Sequence, residues 1–473
     1  MTRFRLLLLA CAAVLVCAVP AASSAADRML VGFQDDPSFR WLGTRDANLD
    51  AAAATHASII RTTVYWARVA PTRPSNAADP FAKQYRFDDL DEFVRNATLR
   101  GMTVMLSIWG TPPWANGGKG QNYAPTRMSD LQNFAHALAA RYSGRYPGYP
   151  FVGYYSVWNE PNLSQFLAPA YDSKGKPSSP FVYARMARAA YAGIKSGNAR
   201  ALVAIGETSP RGRLKPSPKP GKLQDTIAPG LFAQLVSQAR PRVRFDAWAH
   251  HPYSSLGEPP TQRVRFPNVD LVQLPTFQRK LDTWFRRKGT PIWITEYGFE
   301  TKPGEPKGVT QAQQATYARQ SLLLAEKDPY VQMFIWFIFR DEPVSTWQSG
   351  LLREDATRKP AFAAFSALAK VLDVRDPAQH IPPGSSNPTV RVPVWELLVR
   401  DGVGARVGAT VSVTFRGKSI GVSQPSARIG IDGYVAFRVP LTKAQKNGLY
   451  LVFLNINDAN GNAVTRTVTL VSN

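Results

Sequence analysis

Eight short apolar segments alternate with longer amphipathic segments between residue 29 and about residue 373, and few folds accept this alternation. Segments such as 130–142, 181–196, 312–326 and 361–372 have helical spacing. The apolar segments predict strands at 29–34, 57–65, 103–109, 152–158, 202–207, 245–250, 292–295 and 331–339. Strands that are apolar along nearly their whole length are typical of a parallel sheet covered on both faces. The pattern predicts an α/β fold, a (β/α)8 TIM barrel over 27–375. An open doubly wound sheet is less favoured, since no Gly-x-Gly-x-x-Gly follows the first strand.

The composition changes after the barrel. Prolines and small polar residues at 376–388 predict a linker. Beyond it, runs with a period of two are separated by turn residues, which predicts a small all-β, immunoglobulin-like sandwich over 389–473. The runs lie at 389–394, 410–415, 434–439, 449–454 and 464–470. A structural or spacer role for this domain is favoured over specific binding.

The first 26 residues have the pattern of a secretory signal peptide. Arg3 and Arg5 precede an apolar stretch at 6–19, and small residues at 23–26 offer a cleavage site. The stretch is short for a membrane anchor, and a lipoprotein attached through Cys11 would have almost no apolar segment before its cysteine. Both cysteines, Cys11 and Cys17, lie within this signal, so the mature chain would have no disulfide. We expect a secreted, extracellular protein, either free or associated with the cell surface. After processing it would have no transmembrane segment.

The formal net charge is +23, which favours anionic partners such as an acidic polysaccharide or a cell wall. The basic residues are spread along the chain instead of forming one aromatic-laced patch, so nucleic acid is not an expected partner. The densest group lies at 211–222, where prolines and glycines predict an exposed loop. A solvated loop and a role in gripping substrate are both open for this segment.

Two carboxylates follow predicted strands at positions that carry chemistry in barrels. Glu160 stands in Asn-Glu-Pro after the fourth strand, and Glu296 stands in Thr-Glu-Tyr-Gly after the seventh. The carboxyl ends of barrel strands meet at one mouth, where active sites lie. Two carboxyls about 5–5.5 Å apart are what a retaining glycosidase uses, one as acid/base and one as nucleophile. A single Asn-Glu-Pro is weak evidence of an enzyme, but the pair indicates hydrolysis of O-glycosidic bonds.

These motifs resemble those of clan A retaining glycoside hydrolases. Val-Trp-Asn-Glu-Pro-Asn at 157–162 and Trp-Ile-Thr-Glu-Tyr-Gly at 293–298 look like the clan's two catalytic motifs. Ile-Trp-Gly-Thr-Pro-Pro-Trp-Ala at 108–115 is similar to family 39, especially its bacterial exopolysaccharide hydrolases, with family 5 as the competitor. The resemblance covers the barrel and leaves the terminal domain unexplained. It implies Glu160 as acid/base and Glu296 as nucleophile.

The resemblance extends to supporting residues. It implies that Asn159 bonds the sugar 2-hydroxyl and that Tyr253, in His251-Pro-Tyr, contacts the nucleophile. By position only, Arg61 resembles the arginine that keeps the nucleophile ionised, and Trp336 resembles the aromatic floor beneath the sugar. Independently, burial and a neighbouring negative charge should raise the pKa of Glu160. The predicted substrate-binding residues are Asn159, Arg61, His251, Tyr253, Trp109, Trp114 and Trp336, although for each tryptophan alone a packing role is an alternative.

Other chemistries fit the sequence less well. His250 and His251 are adjacent on a strand and point to opposite faces, so they cannot share one ion; no metal and no cofactor is expected. No Gly-x-Ser-x-Gly occurs, which argues against a serine hydrolase. Two alternatives stay open: a transglycosylase that uses the same intermediate, and a non-catalytic carbohydrate-binding wall protein. The sequence predicts a monomer but leaves the sugar, the linkage and endo or exo cleavage open.

Overall fold

The computed structural model describes the barrel almost completely and the C-terminal region in part. The described residues are 29–146, 148–219, 224–342, 347–369, 373–380, 394–400, 406–415, 418–428, 434–438, 448–458 and 463–472. The predicted signal peptide at 1–26 and most of the predicted linker, 381–388, lie outside these ranges. None of the helices in these ranges combines the length and apolarity needed to cross a membrane.

Eight parallel strands close into a barrel in chain order, which confirms the predicted barrel. The strands are β1 (Leu30–Gln34), β2 (Ile59–Tyr65), β3 (Thr103–Trp109), β4 (Tyr154–Val157), β5 (Leu202–Thr208), β6 (Ala247–His250), β7 (Ile292–Tyr297) and β8 (Val331–Phe337). The first and last strands pair with each other from Leu30 opposite Met333 to Gln34 opposite Phe337. Because the sheet closes on itself, all eight carboxyl ends meet at one mouth.

Helices follow the strands and cover the outside of the barrel. The described residues contain α1 (Arg45–Ala54), α2 (Trp66–Val69), α3 (Asp88–Leu99), α4 (Pro113–Asn116), α5 (Met128–Arg141), α6 (Ser179–Gly197), α7 (Pro229–Gln238), α8 (Leu274–Phe285), α9 (Gln311–Glu326) and α10 (Pro360–Ala369). A π-helical turn lies at Pro37–Trp41 and a 3-10 turn at Leu271–Gln273. Local sequence sets several helix starts: Thr310 and Gln313 exchange hydrogen bonds in a capping box before α9.

Alternation along the strands divides the apolar side chains into two clusters. The inner cluster fills the barrel and consists of Ile59, Met105, Ala204, Ala247, Ala249, Trp293, Met333 and Ile335. The outer cluster is much larger and packs strands against helices. Arg61 occupies the next inward position of β2, two residues after Ile59. Its positive charge therefore lies directly above the inner apolar cluster, at the level of the mouth. The inner face therefore changes from apolar to charged within one strand.

The C-terminal region contains antiparallel sheets. One joins β9 (Asp373–His380), β10 (Val394–Arg400) and β14 (Tyr434–Arg438); the other joins β11 (Arg406–Phe415), β12 (Lys418–Ser423), β13 (Ser426–Arg428), β15 (Gly448–Asp458) and β16 (Ala463–Ser472). Alternate side chains of β11 are buried, at Val407, Ala409, Val411 and Val413, as the period-two pattern predicts. Strand β9 includes 376–380, which the sequence pattern assigned to the linker.

Candidate active site

Arg61 is the cation at the centre of the mouth. Its side chain is fully buried, and Nε donates to Ser107 Oγ on β3 at 2.8 Å. One terminal nitrogen, Nη1, donates to Glu296 Oε1 at 2.8 Å. The other, Nη2, lies 3.2 Å from Glu207 Oε2 and 3.5 Å from Asn159 Oδ1. A guanidinium offers five N–H donors in a fixed plane, and here that plane joins groups from four other strands.

Glu160 lies in a sharp turn after β4. The backbone φ angles of Trp158 and Glu160 are +74° and +35°, in the left-handed region that non-glycine residues rarely adopt. The turn brings Glu160 Oε1 within 3.0 Å of His251 Nδ1. Proline at 161 cannot continue the strand, so the carboxylate is directed into the mouth by the residues that end β4.

Glu296 approaches Glu160 from the opposite side of the barrel. The pairing register between β7 and β8 shifts between Ile294 and Tyr297, so the strict alternation of side chains is interrupted there. Besides Arg61, Glu296 is bonded by the hydroxyl of Tyr253, which donates to Oε2 at 3.2 Å. The same oxygen lies 3.5 Å from His251 Nδ1. Glu296 therefore has a donor on each side of its carboxylate.

The two histidines at the end of β6 face different surroundings, as predicted. His250 lies on the outer side, with Nδ1 2.8 Å from Thr208 Oγ1 and Nε2 3.1 Å from Val269 O. His251 lies in the mouth, and each of its ring nitrogens faces a carboxylate. Burial lowers the pKa of His250 to about 3, so its ring is neutral.

Glu207 is a third carboxylate in this cluster, and it was not among the site residues predicted from the sequence. It is fully buried at the end of β5, and its Oε2 accepts from Thr295 Oγ1 at 2.7 Å and from Arg61 at 3.2 Å. The same oxygen lies 2.8 Å from His251 Nε2. The apolar run 202–207 ending in a glutamate repeats the signal that led to Glu160 and Glu296, and this repetition could have identified it.

A backbone irregularity turns Glu207 inward. The register between β5 and β6 shifts between Ile205 and Thr208, and Gly206 has a φ of +107°. A Cβ at Gly206 would lie 2.5 Å from Trp248 Cε2, so only glycine fits. The hydroxyl of Tyr183 on α6 accepts from the Gly206 N–H at 2.7 Å and donates to Val157 O at 2.8 Å. These contacts hold the bulge between β4 and β6.

The cluster sets strongly different pKa values for its members. Burial raises the pKa of Glu160, as expected from the sequence, and the negative charges of Glu296 and Glu207 add to this effect against the opposing His251. Burial would also raise the pKa of Glu207, but Arg61 and His251 outweigh it and hold that pKa at about 2. Burial lowers the pKa of His251, yet Glu296, Glu160 and Glu207 raise it to about 10. The surroundings of Glu160 therefore favour its protonated form, whereas those of Glu207 favour its carboxylate form.

Trp109 is the predicted aromatic that lies best for contact with a sugar. It ends β3 on the inward side and is half-buried, with ring centroids of Tyr65 and Phe166 at 5.8 and 6.1 Å. Its indole N–H is buried and has no hydrogen-bond partner among the described residues. Trp158, its neighbour at 6.3 Å, is fully buried and donates to Phe166 O.

The structure corrects the assignment of Trp336 as the aromatic floor. Its side chain is fully buried, its ring packs 6.3 Å from that of Phe365 on α10, and its N–H donates to Ser349 O at 2.8 Å. The physical reason is strand parity: Ile335 belongs to the inner cluster, so Trp336 points outward to the helices.

Trp347, which was not among the predicted site residues, stands closer to the site than Trp336. It is half-buried, and its ring centroid lies 5.2 Å from Tyr253 and 5.9 Å from Phe337, the inward residue at the end of β8. Among the described residues, Trp114 makes no ring contact with Tyr253 or Phe337. The guanidinium of Arg73 lies 4.4 Å from its ring, and its N–H donates to Ala70 O at 2.7 Å.

Three side chains of the site have the spacing of metal ligands. One ligand atom each from Glu160, His251 and Glu296 lie within 4.8 Å of one another. Arg61 and Tyr253 already donate to the oxygens of Glu296, and a cationic imidazole cannot bind an ion. The donor set therefore fits a proton-transfer site better than a metal site.

The basic segment at 211–222 is only partly an open loop. Arg211 donates to Tyr253 O and to Gln262 Oε1, both at 2.9 Å, and so braces the segment that carries Tyr253. Lys215 and Lys219 are exposed, and Lys222 lies outside the described residues.

Comparison with known proteins gives a family and a fold for the chain. The family model described as cellulase, glycosyl hydrolase family 5, matches residues 27–338. A family 39 glycoside hydrolase from Bacteroides cellulosilyticus WH2 is 17% identical and has a TM-score of 0.52, over 87% of this chain and 79% of its own. A glucosidase from Croceicoccus marinus has a TM-score of 0.54 at 12% identity, over 88% and 94%. GH5_18 from Streptomyces cattleya, solved with GlcNAc, has a TM-score of 0.53 at 18% identity, over 72% and 80%.

At such identities the structural matches establish the fold alone. No curated protein matches the sequence.

Proposed function

The chain belongs to the cellulase family, glycosyl hydrolase family 5, and from this premise we propose that it is a retaining glycosidase acting on a polysaccharide or oligosaccharide. Its family and fold make it a clan A glycoside hydrolase, as the motifs predicted. Both families named from the sequence occur in the comparisons: family 5 in the family model, and family 39 and GH5_18 among the solved structures. The chain is therefore a glycosidase, and its substrate is a carbohydrate.

In the first step of the proposed mechanism, Glu296 attacks the anomeric carbon. The bond to the leaving-group oxygen breaks as a bond to a Glu296 oxygen forms, and Glu160 gives its proton to the departing oxygen. The raised pKa of Glu160 favours the protonated form that this step requires. Arg61 and Tyr253 donate to Glu296, which orients its carboxylate.

In the second step, water hydrolyses the glycosyl-enzyme. Glu160, now a carboxylate, takes a proton from the water as the oxygen attacks the anomeric carbon, and Glu296 leaves with its bonding electrons. Both residues return to their starting states, and the sugar keeps its anomeric configuration. His251 lies 3.0 Å from Glu160 and can stabilise the negative charge that Glu160 acquires between the steps.

The observation that carries the proposal is the short separation of the two carboxylates. An oxygen of Glu160 and an oxygen of Glu296 lie within 4.8 Å of each other. Inverting enzymes separate their carboxyls by about 6.5–9.5 Å to admit a water, whereas retaining enzymes use about 5–5.5 Å. The separation therefore supports direct attack by Glu296.

The anomeric configuration of the first product tests this mechanism. We expect proton NMR during hydrolysis of a β-linked substrate to record the β-hemiacetal first, with the α form appearing only by mutarotation. Initial release of the α form would exclude a retaining mechanism, and binding without turnover on a broad glycan panel would favour a non-catalytic role.

Several groups at the mouth support binding of a sugar. The N–H of Trp109, which has no partner among the residues that the structure describes, can donate to a hydroxyl, and the half-buried ring offers an apolar face. Asn159, held 3.5 Å from Arg61, is proposed to bond the 2-hydroxyl. The position of Trp347 beside Tyr253 makes it the better candidate for the aromatic floor.

We also propose that the substrate, or the surface on which it lies, is anionic. The loop after β5 opens on the mouth, so Arg213, Lys215 and Lys219 can reach the flank of a bound chain. Exposed charges of this kind are screened over about 8–10 Å at ordinary ionic strength. Changing the three to glutamine should flatten the salt dependence of polymer binding.

The matched control changes Lys280, Lys288 and Lys327, exposed lysines near the amino ends of β7 and β8. It lowers the net charge equally but away from the mouth. Binding measured by co-sedimentation between low and moderate salt should keep its slope in this control. Equal slopes in all three proteins would assign the loop charge to solubility alone.

We propose that the protein is secreted after cleavage near residue 26, on the basis of the charged, apolar and small-residue order of its first 26 residues. Mass spectrometry of the extracellular protein would give the mature N-terminus. An intact residue 1 there would contradict cleavage.

We propose that the C-terminal sheets form an immunoglobulin-like sandwich. The buried alternate residues of β11 and of β15, among them Val452, Leu454 and Ile456, require a covering layer. An experimental structure of the full chain would test this arrangement.

A further inference from the structure

The buried carboxylate of Glu207 is not used by the proposed mechanism, and its contacts join the two cations of the site. Through one oxygen, Oε2, it meets Arg61 on β2, His251 after β6 and Thr295 on β7. Its side chain has no exposure to solvent, so it cannot contact a substrate directly. Its effect on catalysis must pass through the residues that it holds.

The orientation of His251 fixes what this contact can do. Nε2 points at Glu207 Oε2 at 2.8 Å, while Nδ1 points at Glu160 Oε1 at 3.0 Å and Glu296 Oε2 at 3.5 Å. A carboxylate oxygen accepts hydrogen bonds and cannot donate them, so Nε2 must carry a proton. Because Nδ1 faces an oxygen of Glu160 and an oxygen of Glu296, a second ring proton gives a donor toward both carboxyl groups.

We propose that Glu207 is a positioning residue that holds His251 as a permanent imidazolium, so that this ring donates to Glu160 and Glu296 instead of exchanging protons with them. The inference rests on the proposed roles of Glu160 and Glu296. Glu207 and Glu296 then balance Arg61 and His251, and Glu160 can hold its proton without leaving a net charge in the cluster. Glu207 thus determines the charge of His251, and with it the electrostatic surroundings of Glu160.

Two neighbouring histidines make the charge state of His251 measurable without any activity assay. With Cε1-labelled histidine, NMR should show His251 as an imidazolium through pH 8 and His250 as a neutral ring over the same range. The two signals are assigned by their loss in His251→Asn and His250→Asn. A neutral His251 between pH 6 and 8 in the wild-type protein would overturn the proposal, whatever the enzyme's reaction.

Glu207→Gln keeps the shape of the side chain and removes its charge. We expect His251 to titrate between pH 5 and 8 in this variant, and kcat to fall about 10²-fold with little change in KM, because the ring no longer aligns the reacting carboxylates. The alkaline limb of kcat/KM should move to higher pH, since the positive charge of His251 lowers the pKa of Glu160 more than the negative charge of Glu207 raises it, and both are lost. An imidazolium and a pH profile like those of the wild type would overturn the proposal.

Two further variants separate positioning from stability. Asp91→Asn removes another buried carboxylate, which binds Arg141 through two hydrogen bonds at 2.8 and 2.6 Å outside the mouth. It should lower the melting temperature and leave the pH profile unchanged. Thr295→Val removes one donor to Glu207 but keeps the charge, so His251 should stay cationic. If Glu207→Gln fails to fold, the wild-type NMR measurement still decides the proposal.

Discussion

Glu296→Ala is expected to lose at least about 10⁴-fold in kcat while the protein stays folded, because no other group can form the glycosyl-enzyme. Its side chain lines the mouth and keeps 11% exposure, and its removal leaves Arg61 paired with Glu207. Steady-state rates on an aryl β-glycoside and a thermal melt measure the two effects.

Azide should restore turnover of the Glu296→Ala variant, because a small anion fits the space left by the carboxylate. The product should be a glycosyl azide of inverted configuration, since the azide attacks the face that the nucleophile used. Glu300→Gln is the matched control: this half-buried glutamate lies three residues after the end of β7, and its Oε1 accepts from the backbone N–H of Gln348. Its activity should be near that of the wild type. Near-normal activity in Glu296→Ala would exclude the nucleophile assignment.

Glu160→Ala is expected to slow substrates with poor leaving groups by about 10²–10⁴-fold and to slow the first step of activated aryl glycosides far less. Only the former need a proton on the departing oxygen. A plot of log kcat/KM against the pKa of the leaving group should become steeper in the variant. The alkaline limb of the pH profile of kcat/KM should disappear in the same variant. Equal losses on both substrate types would contradict the acid/base assignment.

Azide distinguishes the two carboxylates by stereochemistry. In Glu160→Ala the covalent intermediate still forms on Glu296, so azide attacks that intermediate and gives a glycosyl azide of retained configuration. In Glu296→Ala the product is inverted. The same configuration from both variants would show that the two roles are wrongly divided.

The barrel and two of its three mouth carboxylates could be predicted because their signals are local. An apolar run that ends in a carboxylate and a turn residue marks a strand end, as at Glu160 and Glu296, and closure of eight strands brings strand ends together. The site-facing positions of Arg61 and His251 follow from the same strand geometry. These inferences need only chain order and the positions of the strand ends, although the inward direction of Glu296 also depends on the register shift in β7.

What could not be predicted depends on local departures from that period. Strict alternation from the inward-facing Ala204 would turn Glu207 toward the helices, and only the bulge at Gly206 reverses it. Trp336 was mispredicted for the opposite reason, because regular alternation holds at this position of β8. Strand parity alone would have placed its side chain on the outer face of the barrel, against the helices. Trp347 belongs to a segment after β8, where no periodicity indicates which way a ring points.

The left-handed backbone conformation of Glu160 lowers the stability of the fold, and the catalytic role of the residue explains why it is kept. Such a conformation costs a non-glycine residue about 1–2 kcal/mol, and the burial that raises the pKa of this carboxyl adds to the cost. Glycine or asparagine at 160 relieves both. Laboratory evolution that selects for thermal stability alone will therefore favour stable but inactive variants. A selection for thermostable enzyme has to measure catalytic activity in every round.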